Sequence, residues 1–299
     1  MSDDEEQRTV DAELIGERRH LLSLAFRMLG TVAEAEDAVQ ETYIRWYRLP
    51  EAERDQIQLP RAWLTRVAGR ICLDVLGSAR VRRERYVGPW LPEPVPASAF
   101  GETGTDPLDQ VTLDDSVSTA LLVVLESMTP AMRVAFVLHD VFAVPFPEIA
   151  QVVGRTPAAC RQLAASARAR VRQSPARTVP RSEHDQVVRA FAAASRSGDL
   201  RRLIGVLDPD VVLHTDGGGV ISAARHPVCG ADRVARFLLG IRRFYRPGAD
   251  VVEQETSDGL GLTMWDEGRI VGVVTLEVSG GRVTHVRMVR NPGKLTLWN

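Results

Sequence analysis

Between residues 31 and 47 the apolar positions recur every three or four residues. Ala35, Ala38, Val39, Thr42, Tyr43 and Trp46 then fall on one stripe, the buried face of a helix. Thr31 precedes them as an N-cap, with Glu34 three residues on as a capping-box partner. Pro60 opens another helix that runs to about Ser78, with Trp63, Leu64, Val67, Ile71 and Val75 as its buried set. The periodicity then stops. Residues 88–113, beginning GPWLPEPVPASAFGETGTDP, are rich in Pro, Gly, Ser and Thr and predict an extended, mobile linker. Helical spacing returns over Asp114–Ser127 and Pro130–Asp140, and again in the short EIAQVV. Gly154 and Arg155 predict a tight turn, Thr156 an N-cap and Pro157 a first helical turn. The helix so begun runs to about Gln173, with Ala159, Leu163, Ala167 and Val171 on one face.

From residue 181 the pattern changes. Two helices, at about 183–196 and 230–244, are followed by alternating runs: VVLHTD, GVISAA, VVEQETSD, LGLTMW, RIVGVVTLEV and RVTHVRMVR. Gly280-Gly281 marks a hairpin turn. Helices first and a meander of antiparallel strands afterwards predict an α+β domain, a helix-backed curved sheet. The chain is thus multidomain: all-α modules at 11–87 and 114–177, a linker at 88–113, and an α+β domain at 181–299.

Charge sharpens this division. Residues 1–53 hold thirteen acids and six arginines, whereas 60–87 hold seven arginines and two acids. Residues 88–116 carry six acids and no basic residue, and 154–177 six arginines and no acid. Alternating blocks of this kind point to contact with nucleic acid at two separated places. Lys294 is the only lysine, which reflects codon usage in a GC-rich genome. Cys72, Cys160 and Cys229 are scattered, without CxxC or His at metal spacing, so no metal or cofactor is expected. The acidic start MSDDEEQ lacks the pattern of a signal or transit peptide, and no apolar run is long enough to span a membrane. The expected location is the cytoplasm.

The span PFPEIAQVVGRTPAACRQLAASARARV carries the most specific chemistry. A short helix, a glycine turn and a capped, arginine-rich second helix form a helix-turn-helix. The second helix of such a pair enters the major groove with its N-terminal residues at base edges. Arg155, Thr156, Ala158, Arg161 and Gln162 lie at that end, and Arg161 or Gln162 has the geometry for bidentate pairing with guanine or adenine. Arg168, Arg170 and Arg172 lie further along and suit phosphate contacts. An ordinary antiparallel helix pair with a basic surface is the competing account.

These segments together resemble the extracytoplasmic-function (ECF) sigma factors of bacterial RNA polymerase. EDAVQETYIRWYR at 36–48 looks like their polymerase-binding helix, PRAWLTRVAGRICLDVL at 60–76 their promoter-melting helix, and the helix-turn-helix their region 4, which reads the −35 element. The resemblance implies that Asp37, Gln40 and Glu41 dock on the β′ subunit of core polymerase, whose β subunit is a further expected partner. It also implies that Arg61, Trp63, Arg66, Arg70, Arg80, Arg82 and Arg83 face the −10 element, where strand separation calls for aromatic faces and cations. Arg70 stands where many relatives carry Asn, and Gly77 where Arg is common.

The part beyond residue 181 resembles a SnoaL-like domain of the NTF2-like fold, a cone with a cavity. WLPEP in the linker, HTDGGG at 214–219 and NPGKL at 291–295 are similar to sigma-J-type members with this extension, which implies modulation of activity within one chain. Val220 departs from the basic residue often found there. His214, Asp216, Trp265 and His285 are expected by strand alternation to line a cavity able to take an unknown small molecule. No catalytic residue is assigned. A ligand-responsive regulator that binds DNA alone, and a SnoaL-type enzyme with a helical appendage, are the alternatives.

Overall fold

The computed structural model describes residues 16–84, 86–99, 118–173, 179–242 and 250–299. They divide into two compact units. The first takes the chain up to Arg82 together with Val124–Ser174, and the second takes Arg83–Gly101, Val117–Val123 and Pro175–Asn299.

The first unit is all helix. In α1 (Arg18–Leu29) every side chain from Leu21 to Leu29 is buried, and the helix stops at Gly30, whose φ of 80° lets its N–H reach Phe26 O. In α2 (Val32–Tyr47) the buried set is Val32, Ala35, Ala38, Val39, Thr42 and Trp46, close to the expected stripe. Tyr43 is only half-buried. Thr31 Oγ1 bonds to Glu34 Oε2 at 3.1 Å, and the Thr31 side chain makes no cap bond to the helix backbone. A short α3 (Glu51–Arg54) leads to α4 (Pro60–Glu84), longer than expected. Leu64, Ala68, Ile71, Cys72 and Leu76 are buried along it, while Trp63, Val67 and Val75 are half-exposed.

The second helical group comprises α5 (Thr119–Glu126), α6 (Pro130–Phe136), α7 (Phe146–Val153) and α8 (Pro157–Gln173). The division between units falls inside α5, after Val123. Thr129 caps α6, which continues as a π turn over Val137–Val141. In α8 the buried residues are Cys160, Ala164 and Ala167, so the inward face is rotated from the expected one; Ala159, Leu163 and Val171 are half-buried. Buried Arg133 donates to Leu125 O at 2.9 Å and Met28 O at 2.6 Å. Both carbonyls lie in the last turns of their helices, where acceptors lack intrahelical partners. One guanidinium thus closes the ends of α1 and α5.

In the second unit α9 (Arg181–Ser197), α10 (Leu200–Val206) and α11 (Ala231–Arg242) accompany a six-stranded sheet of order β2-β1-β6-β5-β4-β3. The strands are β1 (Leu207–Asp216), β2 (Val228–Cys229), β3 (Asp250–Thr256), β4 (Gly259–Asp266), β5 (Arg269–Ser279) and β6 (Arg282–Val289). Two sequence expectations are corrected here. The sheet is not a pure antiparallel meander, because β1 pairs with β6 in parallel. GVISAA is no strand, because Gly218 and Gly219 take φ of 65° and 74° and turn the chain away after β1. The helix α10 carries no separate signal in the pattern. Gly280 and Gly281, both at positive φ, do make the expected turn.

The helices cover one sheet face, where Phe191, Leu203, Leu213, Met264, Leu276 and Met288 form the core. Strand alternation sends the intervening residues to the other face. There Ile270, Val273 and Val289 meet Leu91, Leu295 and Trp298. Residues 91–95 of the expected mobile linker are buried. Ala97 N bonds to Glu255 O and Ser257 N to Val95 O, adding an isolated bridge at the β3 edge. Proline keeps LPEP extended, and its apolar neighbours then find a sheet face to cover. The residues after 99, up to 117, lie outside those described.

Candidate nucleic-acid interface

The turn before α8 follows from Gly154, whose φ of 69° few other residues adopt. Thr156 Oγ1 then accepts from Ala159 N at 3.2 Å and starts the helix. This end is open: Arg155, Thr156, Ala158, Arg161 and Gln162 are exposed, as is Arg172. The Arg161 guanidinium lies 5.7 Å from the Phe146 ring centroid. Two of the expected phosphate contacts are engaged within the chain, Arg168 with Asp140 at 3.3 Å and Arg170 with Ser127 O at 2.6 Å.

The expected −10 residues on α4 are placed less freely. Arg61 is exposed, 3.3 Å from Glu17 and 3.1 Å from His20 Nδ1. Burial, then Arg61 and Arg27, push the His20 imidazole down to about 4, which keeps it neutral near pH 7. Trp63 is half-buried, edge-on to Trp46 with centroids 5.2 Å apart. Arg66 stands 4.0 Å from Glu148 of α7. Arg70 donates to Val152 O at 2.9 Å, at the carbonyl end of α7. Beside it, a Cβ on Gly69 would lie 3.2 Å from Leu138 and 3.4 Å from Val152. The helix α4 is therefore packed directly against the helix-turn-helix. The side chains of Arg80, Arg82 and Arg83 lie outside the described residues.

On α2 Asp37 and Gln40 are exposed, and Glu41 pairs with Arg45 at 3.0 Å. Gln40 borders a groove of about 620 Å³ also lined by Arg18, Glu36, Tyr43 and Tyr47. Ile44 and Tyr47 are large apolar groups left exposed at that groove. Spacing alone had put Tyr43 in the core stripe and passed over the other two.

The four residues expected to line a C-terminal cavity share the sheet face opposite the helices. Asp216 is not a cavity residue. Its Oδ1 accepts from Tyr86 Oη at 2.6 Å and Gly218 N at 3.0 Å, and its Oδ2 from Leu91 N at 3.0 Å and Lys294 Nζ at 2.8 Å. Four donors saturate the carboxylate. Lys294 also donates to Leu91 O and lies 4.0 Å from the Trp90 ring centroid. Burial and the Asp216 carboxylate push the Tyr86 phenol well up. Asn291 donates to Tyr86 Oη at 2.8 Å. The three motifs WLPEP, DGGG and NPGKL thus meet at one carboxylate, an outcome legible only once the lone lysine is placed. Trp265 packs beside Val273 and donates to Thr263. His285 pairs with Glu277 at 2.9 Å, and Glu277 also pairs with Arg287. His214 is the cross-strand neighbour of Arg287; burial, Arg287 and His285 hold its imidazole below the usual range.

A cationic, capped helix behind a left-handed glycine, packed with a short preceding helix, is the helix-turn-helix of a DNA-binding protein. Family models for Sigma-70 region 2 and Sigma-70, region 4 match residues 14–85 and 118–171. The chain is 42% identical to the ECF RNA polymerase sigma factor SigJ of Mycobacterium tuberculosis (strain ATCC 25618 / H37Rv), over 93% of this chain and 91% of that protein. It is 38% identical to the probable ECF RNA polymerase sigma factor SigI of the same strain, over 96% of this chain and 94% of that one. The crystal structure of M. tuberculosis SigJ superposes with a TM-score of 0.73 at 39% identity, covering 95% of this chain and 98% of that one. The chain belongs to the ECF RNA polymerase sigma factors. It binds core RNA polymerase and directs it to promoter DNA for transcription initiation. The second unit carries its helices on one face of an open sheet, the helix-backed sheet expected from the sequence. No helix among the described residues is long and apolar enough to cross a membrane.

Proposed function

We propose that the exposed N-terminal end of α8 reads the −35 element through Arg155, Thr156, Ala158, Arg161 and Gln162. Arg168, Arg170 and Arg172 hold its phosphates. Arg61, Trp63, Arg66 and Arg70, with Arg80, Arg82 and Arg83, act at the −10 element. The observation that carries the reading is the openness of the capped cationic end behind Gly154. On α2, Asp37, Gln40 and Glu41 dock on the β′ subunit, and the exposed Ile44 and Tyr47 beside Gln40 give that surface apolar anchors.

The packed first unit is a resting state. The −35 and −10 elements are separated by about 25 base pairs, on the order of 80 Å at ~3.4 Å per base pair. Helices that touch at Gly69, Leu138 and Val152 do not span that distance, so α4 and the helix-turn-helix part when both elements are read. The C-terminal domain modulates this activity within the chain rather than acting as an enzyme. Support comes from Asp216, whose saturated carboxylate holds residues 86–91 and has no lone pair left for acid–base chemistry.

Run-off transcription with core polymerase tests the reading. Wild type should give transcripts only with core enzyme. Asp37→Ala with Gln40→Ala should lower core affinity without loss of helix content, and normal affinity would remove the docking assignment. Lys294→Met should alter promoter output; unchanged output would remove modulation in cis.

A further inference from the structure

We infer that Phe146 is a positioning residue for base readout, holding Arg161 so that the −35 contact discriminates at one base pair. This rests on the reading that Arg161 contacts a base. Phe146 is the first residue of α7 and lies outside the recognition helix. Its half-buried ring is 5.7 Å from the exposed guanidinium of Arg161, within range of a cation–π attraction.

The ring is itself fixed. His139 stacks on it with centroids 3.9 Å apart and planes tilted by 31°. The His139 Nδ1–H donates to Val144 O at 3.1 Å, which sets the imidazole orientation. Around this bond the backbone departs from α geometry. The π turn over Val137–Val141 gives way to Ala143 at φ 53°, and Val144 N bonds to Leu138 O at 2.8 Å. Such a turn, and a non-glycine residue in the left-handed region, are costly and persist where the surroundings over-determine them. Here they set an imidazole under the ring that faces Arg161.

The chemistry explains why a pedestal matters. Bidentate pairing with guanine needs the guanidinium plane aligned with the base edge. An exposed arginine samples many rotamers, and freezing them opposes binding. A ring that restricts the rotamers in the free protein lowers that cost for the matching base and gives no help to a mismatched one. The gain appears as discrimination, not as general affinity.

The test is selection from duplexes randomised across the −35 element, using the full-length chain with core polymerase. Phe146→Leu should lower discrimination at a single base position by about two- to five-fold and leave the other positions unchanged. Phe146→Tyr should retain wild-type discrimination, because the ring face is kept. In an Arg161→Ala background Phe146→Leu should have no further effect at that position. A uniform loss across positions, or equal loss in Phe146→Leu and Phe146→Tyr, would show that the ring serves only packing. If Arg161→Ala leaves every position unchanged, the base-contact reading itself fails. If it removes discrimination while Phe146→Leu does not, that reading stands and the positioning role falls.

Discussion

His20 shows how one half-buried side chain ties stability to pH. It sits beneath the α1–α4 contact, accepting from Arg61 at 3.1 Å, with Thr65 Oγ1 3.3 Å from its Nε2. Burial and two neighbouring arginines lower its pKa from 6.5 to about 4. The unfolded chain therefore takes up this proton near pH 6.5, whereas the folded one resists until about pH 4. The contribution is fully present above pH 6.5 and is lost as pH falls toward 4. It amounts to about 2–3 kcal/mol. Urea unfolding of the first unit at pH 7 and pH 5 should show the loss, and His20→Gln should flatten it. A pH dependence untouched by His20→Gln would assign the titration to other groups. Lys294 works by the opposite logic: it is buried and charged, and its partner is Asp216. Lys294→Met leaves a buried carboxylate without its counter-ion and should cost about 3–5 kcal/mol in the second unit. Lys294→Met combined with Asp216→Asn should recover part of that. Equal losses in the single and double variants would mean that the pair contributes through packing alone.

In the first unit α2, α4 and α8 were legible from spacing because each buries one stripe, whereas α1, buried on every side from Leu21 to Leu29, offers none. Periods of three and four residues in α2 and α4, and the Gly154–Thr156–Pro157 punctuation before α8, are local signals. What escaped the pattern is long-range. The parallel β1–β6 pairing depends on strands more than sixty residues apart, and alternation within a strand carries no information about its neighbour. The extended 91–97 segment looked like a tether because prolines and glycines mark loops whether or not a partner covers them. Its partner is the C-terminal end of the chain. Trp298 Nε1 donates to Pro94 O at 2.8 Å, and Asn299 Oδ1 accepts from Ile270 N at 2.8 Å. In the same way, strand alternation put His214, Asp216, Trp265 and His285 on one face, but could not tell which face the helices cover. Deleting Leu295–Asn299 should therefore raise hydrogen exchange at Leu91, Ala97 and Ile270 by at least about ten-fold, through loss of the buried indole and its hydrogen bonds. Protection of Leu276, on the helix side, should hold. Uniform exchange across both faces would mean that the last turn secures the whole unit, not the segment it touches.

At the scale of the whole molecule, the question is whether the packed first unit can itself start transcription. Geometry answers with a lock. A Cβ on Gly69 would stand 3.4 Å from Val152 Cγ1, so cysteines at 69 and 152 would bring a thiol within reach of a disulfide. Gly69 lies inside α4, where a side chain is favoured over glycine, and Leu138 at 3.2 Å need yield only slightly. Cys72 and Cys160 are buried and Cys229 is exposed, so Cys229→Ser leaves the new pair as the reactive thiols. With the bond closed, α4 and α7 stay in contact, and one chain cannot place them on elements some tens of ångströms apart. The oxidised Gly69→Cys, Val152→Cys chain should fail in run-off assays on a promoter that needs both elements, while still binding core polymerase. Reductant should restore output to within about two-fold of the Cys229→Ser parent, since the reduced thiols impose no restraint. Full transcription from a chain whose cross-link is confirmed by mass would mean that α4 and the helix-turn-helix read the promoter without parting, and the resting-state reading would be lost.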